Sequence, residues 1–193
     1  MGEGRDRAAA AGANEDDDVK IVKKLFGLGP DPREALVPLY VSVVEAARRP
    51  AWYAEMGVPD TLDGRFDMIS AVLSLVLVRL ETEGAAGRDA NARLTEVFID
   101  DMDGQLRQLG VGDVVVGKHI GKMMSAMGGR LSAYRETLPD AARFEDALIR
   151  NLWRGEPGPD ARPAQVAERL RTLAAKIGAT DWATLKAQGI PAS

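Results

Sequence analysis

The chain has 193 residues, a formal net charge of −4 with both signs dispersed, no cysteine and a single histidine, His119. That length suits one domain able to bury a hydrophobic core without staples. The composition excludes thiolate zinc sites, His-rich metal sites and Cys–His catalysis, and it lacks the strongly basic face of a dedicated nucleic-acid binder.

Residues 1–18, MGEGRDRAAAAGANEDDD, hold almost nothing that can be buried and end in an acidic run, so a disordered leader is expected. Ala8 to Ala11 is too short for the apolar segment of an export signal. The longest later apolar run, Met68 to Val78, is too short for a membrane span. With no cysteine and no such signal, the expected location is cytoplasmic. Val19, Val22, Leu25 and Phe26 share a face opposite Lys20, Lys23 and Lys24. A segment of this kind either docks on its own domain or makes a transient membrane-surface contact, which would place the protein peripherally at the inner face of a membrane.

Asp31-Pro32-Arg33-Glu34 reads as a helix start, with Asp31 as N-cap, Pro32 at the first position and Glu34 closing a capping box. Leu36, Tyr40, Val44 and Ala47 would face the core. Pro38 predicts a kink or a late start, and Pro50 ends the helix behind Arg48 and Arg49. The loop that follows carries more special chemistry than a connector needs. In one reading Trp52 and Tyr53 plug a joint between helices, Asp60 caps, and Asp63, Arg65 and Asp67 form a local ion-pair network. In the other, Arg49, Trp52, Tyr53, Asp63 and Arg65 form a partner-binding hot spot. Solvent exposure of Trp52 separates the two. A rival of another class is a small helical enzyme or ligand-binding protein using Asp60, Asp63 and Asp67. No nucleophile, phosphate loop or metal cage accompanies these carboxylates, and a deep pocket holding one of strongly raised pKa would support it.

Asp60 or Thr61 is expected to cap a helix through Leu62, Phe66, Ile69, Leu73, Val76 and Leu80. Leu75, Leu77 and Val78 fill its other sides, which makes it the central element of a bundle. Gly84 and Gly87 mark the next turn. A helix over about 92–109 follows, with Leu94, Val97 or Phe98, Met102, Leu106 and Leu109 on its apolar face. Asp100, Asp101 and Asp103 read as a solvated acidic face rather than a cation site. Gly110 and Gly112 break the chain and Asp113 caps a helix over about 114–136, with Val116, Ile120, Met123, Met127, Leu131 and Tyr134 in one stripe. Gly117, Gly121 and Gly128 recur beside it, each costing roughly 0.5 to 1 kcal/mol against alanine. Either another backbone packs closely there, or the glycines make room for a client. In the second case Gly121, Met123, Met124 and Met127 line an adaptable groove rimmed by Lys118 and Lys122, with His119 at hand.

Pro139-Asp140 opens a helix with Phe144, Leu148 and Leu152 inward, and Gly155 to Pro159 breaks it. Pro163 opens another through Val166, Leu170, Leu173 and Ile177, and residues 181–188 add a final turn. The expected fold is all-α, a single-domain multi-helix bundle around a central apolar helix. Residues 1–18 form the leader, 19–155 the helical core, and 156–193 a C-terminal helical extension packed on that core.

Two strings, RRPAWYAEMGVPDTLDGRFDMIS and LTEVFIDDMDGQLRQLGVGDVVVGKHIGKM, resemble the signature blocks of the ubiquinol-cytochrome c chaperone family. The likeness spans about residues 25–154. His119 stands where a second basic residue is usual, and Met127-Gly128 replaces an aromatic pair before Gly129-Arg130. The resemblance implies a non-catalytic assembly chaperone without cofactor or metal. Such a protein shields apolar helices of newly made cytochrome b during maturation of the bc1 complex. The dispersed charge argues against a specific nucleic-acid partner, and the resemblance implies, as in mitochondrial members, a candidate small co-chaperone. A peripheral membrane scaffold subunit is the remaining alternative.

Overall fold

Pro38 decides where the first helix begins. The computed structural model describes residues 31–108 and 113–192. In it Glu34–Leu36 form a 3₁₀ turn, and α1 (Val37–Ala47) follows with the proline in its first turn. A proline there displaces no helical hydrogen bond, so the helix starts late instead of kinking. Asp31 organises the turn rather than the helix: its carboxylate accepts the Arg33 N–H at 2.9 Å and its carbonyl the Glu34 N–H at 2.9 Å. The buried face of α1 carries Leu39, Tyr40, Val43, Ala46 and Ala47, while Val44, expected inward, is half-buried.

The stretch expected as a plain loop contains a short helix, α2 (Pro50–Ala54), started by its proline. Thr61 then caps α3 (Leu62–Leu80), its hydroxyl accepting the Gly64 N–H at 3.0 Å. Every residue of α3 from Asp67 to Leu77 is buried, as an apolar-all-round helix requires. A 3₁₀ turn, Glu81–Glu83, leads into α4 (Gly84–Gln108), which starts well before the expected residue 92 because its first turns are too polar to show a period. Gly87 lies inside α4 and not in the turn. A Cβ there would fall 1.9 Å from the Leu80 carbonyl oxygen, so glycine is what lets α4 start tight against the end of α3.

The remaining helices are α5 (Asp113–Thr137), α6 (Ala141–Leu152), α7 (Pro163–Ala179) and α8 (Trp182–Gln188). Asp140 caps α6 through the Arg143 N–H at 3.0 Å, and Asp181 caps α8 through the Thr184 N–H at 2.9 Å. Helix α3 touches α1, α4, α5, α6 and α7, so it is the axis of the bundle, while α8 lies on α1. Residues 163–185 contribute Val166, Leu170, Leu173, Ile177 and Leu185 to the same continuous core.

Among the described residues no helix is long and apolar enough to cross a membrane, and no cluster of acidic or His side chains could hold a metal ion. Asp100, Asp101 and Asp103 go three ways, to Arg33, the Tyr40 hydroxyl and Arg107. The leader, the basic segment of residues 19–26, the Gly110 and Gly112 break and the Asp113 side chain lie outside what the structure describes.

Candidate functional site

The last carbonyls of α1 need partners that the helix cannot supply, and α2 supplies them with its aromatic side chains. The Trp52 indole N–H donates to the Ala46 carbonyl at 2.7 Å and the Tyr53 hydroxyl to the Ala47 carbonyl at 2.8 Å. Trp52 is 3% exposed, so it fills the joint and is enclosed, contrary to its reading as an exposed partner anchor. Tyr53 is half-buried, and burial pushes its hydroxyl up to about 12. Arg49 is half-buried at the start of α2. The chain beyond α2 is pinned from the far end of the sequence. The Trp153 indole donates to the Gly57 carbonyl at 2.8 Å, and the Arg162 N–H to that of Met56 at 3.0 Å.

This joint borders two neighbouring clefts that share Arg48 and Arg65. The smaller, about 510 Å³, lies over Pro50, Tyr53 and Asp60. The larger, about 590 Å³, opens between the start of α3, the end of α4 and the middle of α5. Its floor is apolar: Ile69, Met102 and Leu106 are buried, and Phe66 is half-buried with its ring 5.8 Å from that of Phe98. Gln105, Lys122, Met123 and His119 stand around it, with Asp63 and Arg65 on the α3 side.

At the base of this cleft sits an ion cluster that ties together three elements. Asp67, 1% exposed, accepts a hydrogen bond from the Arg130 Nη2, and the Arg154 guanidinium reaches its other oxygen at 2.7 Å. The Arg154 contact is an ion pair without an aligned hydrogen bond, since that carboxylate oxygen accepts none in good geometry. Burial pushes the Asp67 carboxyl up from the ordinary range, against the pull of the two guanidiniums. Arg130 also lies over the Phe66 ring, 5.2 Å from its centre. The local network expected from Asp63, Arg65 and Asp67 does not form. Arg65 pairs with exposed Asp60 at 2.6 Å, whereas Asp67 turns inward to partners far along the chain. The three carboxylates proposed for acid–base work therefore do not converge.

The methionine stripe also divides. Met123 lines the cleft, Met124 is half-buried outside it, and Met127 is 3% exposed and belongs to the core. Rotation of about 100° per residue turns Met124 away from Met123, and Met127, one turn on along the same stripe, is sealed in the core, so the three sulfurs do not make one open flank. Lys118 and Gly121 are exposed beside the cleft without lining it. Among the described residues no atom lies within 4 Å of a Cβ placed on Gly117, Gly121 or Gly128, so none of them packs closely against these glycines. Arg48, Phe66, Gln105, Arg130 and Arg154 are site residues not anticipated as such. Arg130 carried a signal: it falls three residues after Met127 on the core-facing stripe, and a charge there demands a buried partner.

A family model described as Ubiquinol-cytochrome C chaperone matches residues 54–190. The crystal structure of the Cbp3 homolog from Brucella abortus is similar at a TM-score of 0.72 and 27% sequence identity, covering 90% of this chain and 94% of that one. Nothing among curated proteins matches.

Proposed function

The chain belongs to the ubiquinol-cytochrome c chaperone family, and from that premise we propose that its client is cytochrome b, held by an apolar helical segment in the larger cleft. The role in assembly of the bc1 complex comes with the family and the Cbp3-like fold. The client and the docking site are the added steps.

The observation that carries this reading is the open cleft between α3, α4 and α5, apolar at its floor and charged at its rim. A multi-span membrane protein exposes helices that aggregate in water until they pair, and a groove of this chemistry covers one face of such a helix. Met123 supplies an adaptable wall able to fit several side-chain shapes. Tyr53, Asp63, Arg65 and Lys122 border the same surface, with Arg49, Lys118 and Met124 close by on α2 and α5. Trp52 contributes by fixing the joint on which that border stands. Holding and release need no bond to be made or broken, so the binding is reversible and non-catalytic. A membrane-embedded client places the work peripherally at the inner face of the membrane, with a small co-chaperone as a further partner.

Photo-crosslinking residues placed at Met123 and Gln105, on opposite walls of the cleft, test the assignment in cells. Both positions should capture newly synthesised cytochrome b, and a crosslinker at Arg169, exposed on α7, should not. Absence of cytochrome b from both cleft positions in a folded, expressed protein would remove the docking site.

A further inference from the structure

Charge around the larger cleft is one-sided. Arg48 and Lys122 are exposed at its rim, and neither has an ion-pair partner among the described residues. Arg65 is already satisfied by Asp60. At the base a single carboxylate, Asp67, faces two guanidiniums, and Arg154 keeps 56% of its side chain exposed. Arg130, only 7% exposed, has two further donors, Nε and Nη1, with no acceptor among the described residues. The opposing charge on the rim is Asp63.

A wholly apolar helix laid into this cleft would strip water from Arg48, Lys122 and Arg154 and give nothing back, which is unfavourable for each charge covered. A carboxylate arriving with it reverses that balance, and in a partly desolvated cleft the attraction is stronger than in open water. The free donors of Arg130 are sealed from solvent, so Arg130 acts on such a group through its field and not by contact.

We infer that the segment held here carries a carboxylate on its inserted face. It is an apolar helix with one Asp or Glu among its apolar residues. The acid lies against Arg48, Lys122 and Arg154, and its neighbours lie on Phe66, Leu106 and Met123. This inference rests on the cleft being the docking site and adds the chemical class of the segment that docks.

Two soluble amphipathic peptides, identical except for one Glu or one Gln in the middle of the apolar face, serve as probes against the full chain by fluorescence anisotropy. The Glu peptide is expected to bind at least about tenfold more tightly at low salt, and added salt should shrink the difference. Arg48→Gln with Lys122→Gln, at two exposed positions, should remove most of that preference, weakening the Glu peptide and tightening the Gln peptide, since two fewer charges lose water beneath it. Equal affinities for the two peptides would overturn the carboxylate while leaving the cleft as the docking site. Binding of neither peptide would overturn both. Displacement of the Glu peptide by vesicles of anionic phospholipid, but not by zwitterionic ones, would assign the cationic rim to lipid headgroups and overturn the inference as well.

Discussion

Arg154 holds its backbone at φ 58°, a left-handed conformation that glycine adopts freely and other residues adopt only under strain. It lies one residue past Trp153, the C-cap of α6, where helices commonly end on glycine. What arginine adds is reach: from there its guanidinium meets Asp67 and the Asn151 carbonyl, each at 2.7 Å. Arg154→Ala loses those contacts and keeps the strain, whereas Arg154→Gly loses the contacts and releases it. The glycine variant should therefore be more stable than the alanine variant by about 1 kcal/mol in urea unfolding, and identical midpoints would place the strain elsewhere. Arg130→Met removes the buried partner of Asp67 and should destabilise by about 3 to 5 kcal/mol. Asp67 already has a raised pKa through burial, and without Arg130 that pKa rises further. The native state then binds the proton more tightly than the unfolded chain does. Part of the lost stability should accordingly return as pH falls from neutral through the raised value toward 3.8, the ordinary carboxyl pKa. A loss that deepens on acidification would contradict a raised pKa. Local residue chemistry such as the Thr61, Asp140 and Asp181 caps is legible in sequence because donor and acceptor lie within one turn. The Asp67–Arg130 pair, 63 positions apart, is not.

Helix α5 shows how an element can be placed correctly and its faces misjudged. Its period is plain, but of the two purposes open to the glycines beside the stripe, close packing finds no support among the described residues, where a Cβ on Gly117, Gly121 or Gly128 meets nothing within 4 Å. Gly121→Ala should then stabilise the protein by roughly 0.5 to 1 kcal/mol, since the added methyl meets nothing and the unfolded chain loses freedom. Thermal unfolding measures this. If the same variant is more stable yet captures less cytochrome b in the crosslinking experiment, a client backbone passes over that position. A fall in stability would mean that an undescribed part of the chain packs there. Helix α2 and the start of α4 present the converse case. Pro50–Ala54 and Gly84 onward are helical without an apolar period, because aromatic capping of α1 and the close approach at Gly87 hold them. Tertiary contacts of this kind leave no trace in local spacing.

The whole molecule depends on its C-terminal fifth. Helix α7 packs on α3 and α6, and it buries Leu170, Leu173 and Ile177 completely. The chain then returns to α1, where α8 docks, the Ile190 N–H donates to the Ser42 hydroxyl at 2.9 Å, and Lys176 reaches the Ala192 carbonyl at 2.8 Å. The sequence pattern made the apolar stripe of this extension visible but did not reveal which partner it covers, since amphipathic periodicity specifies a face and not a neighbour. That partner is the central helix, so the described residues 156–192 pack into the bundle itself. Leu170→Ala should cost about 2 to 5 kcal/mol as a cavity in the shared core. Truncation after Gly155 should abolish the cooperative unfolding transition and expose α3, read out by circular dichroism and size-exclusion chromatography. No residue of α7 or α8 lines the larger cleft, so a truncated chain that still unfolds cooperatively would show two separable units. Loss of cooperativity together with loss of client capture would show that the cleft's walls are held in place from the opposite side of α3.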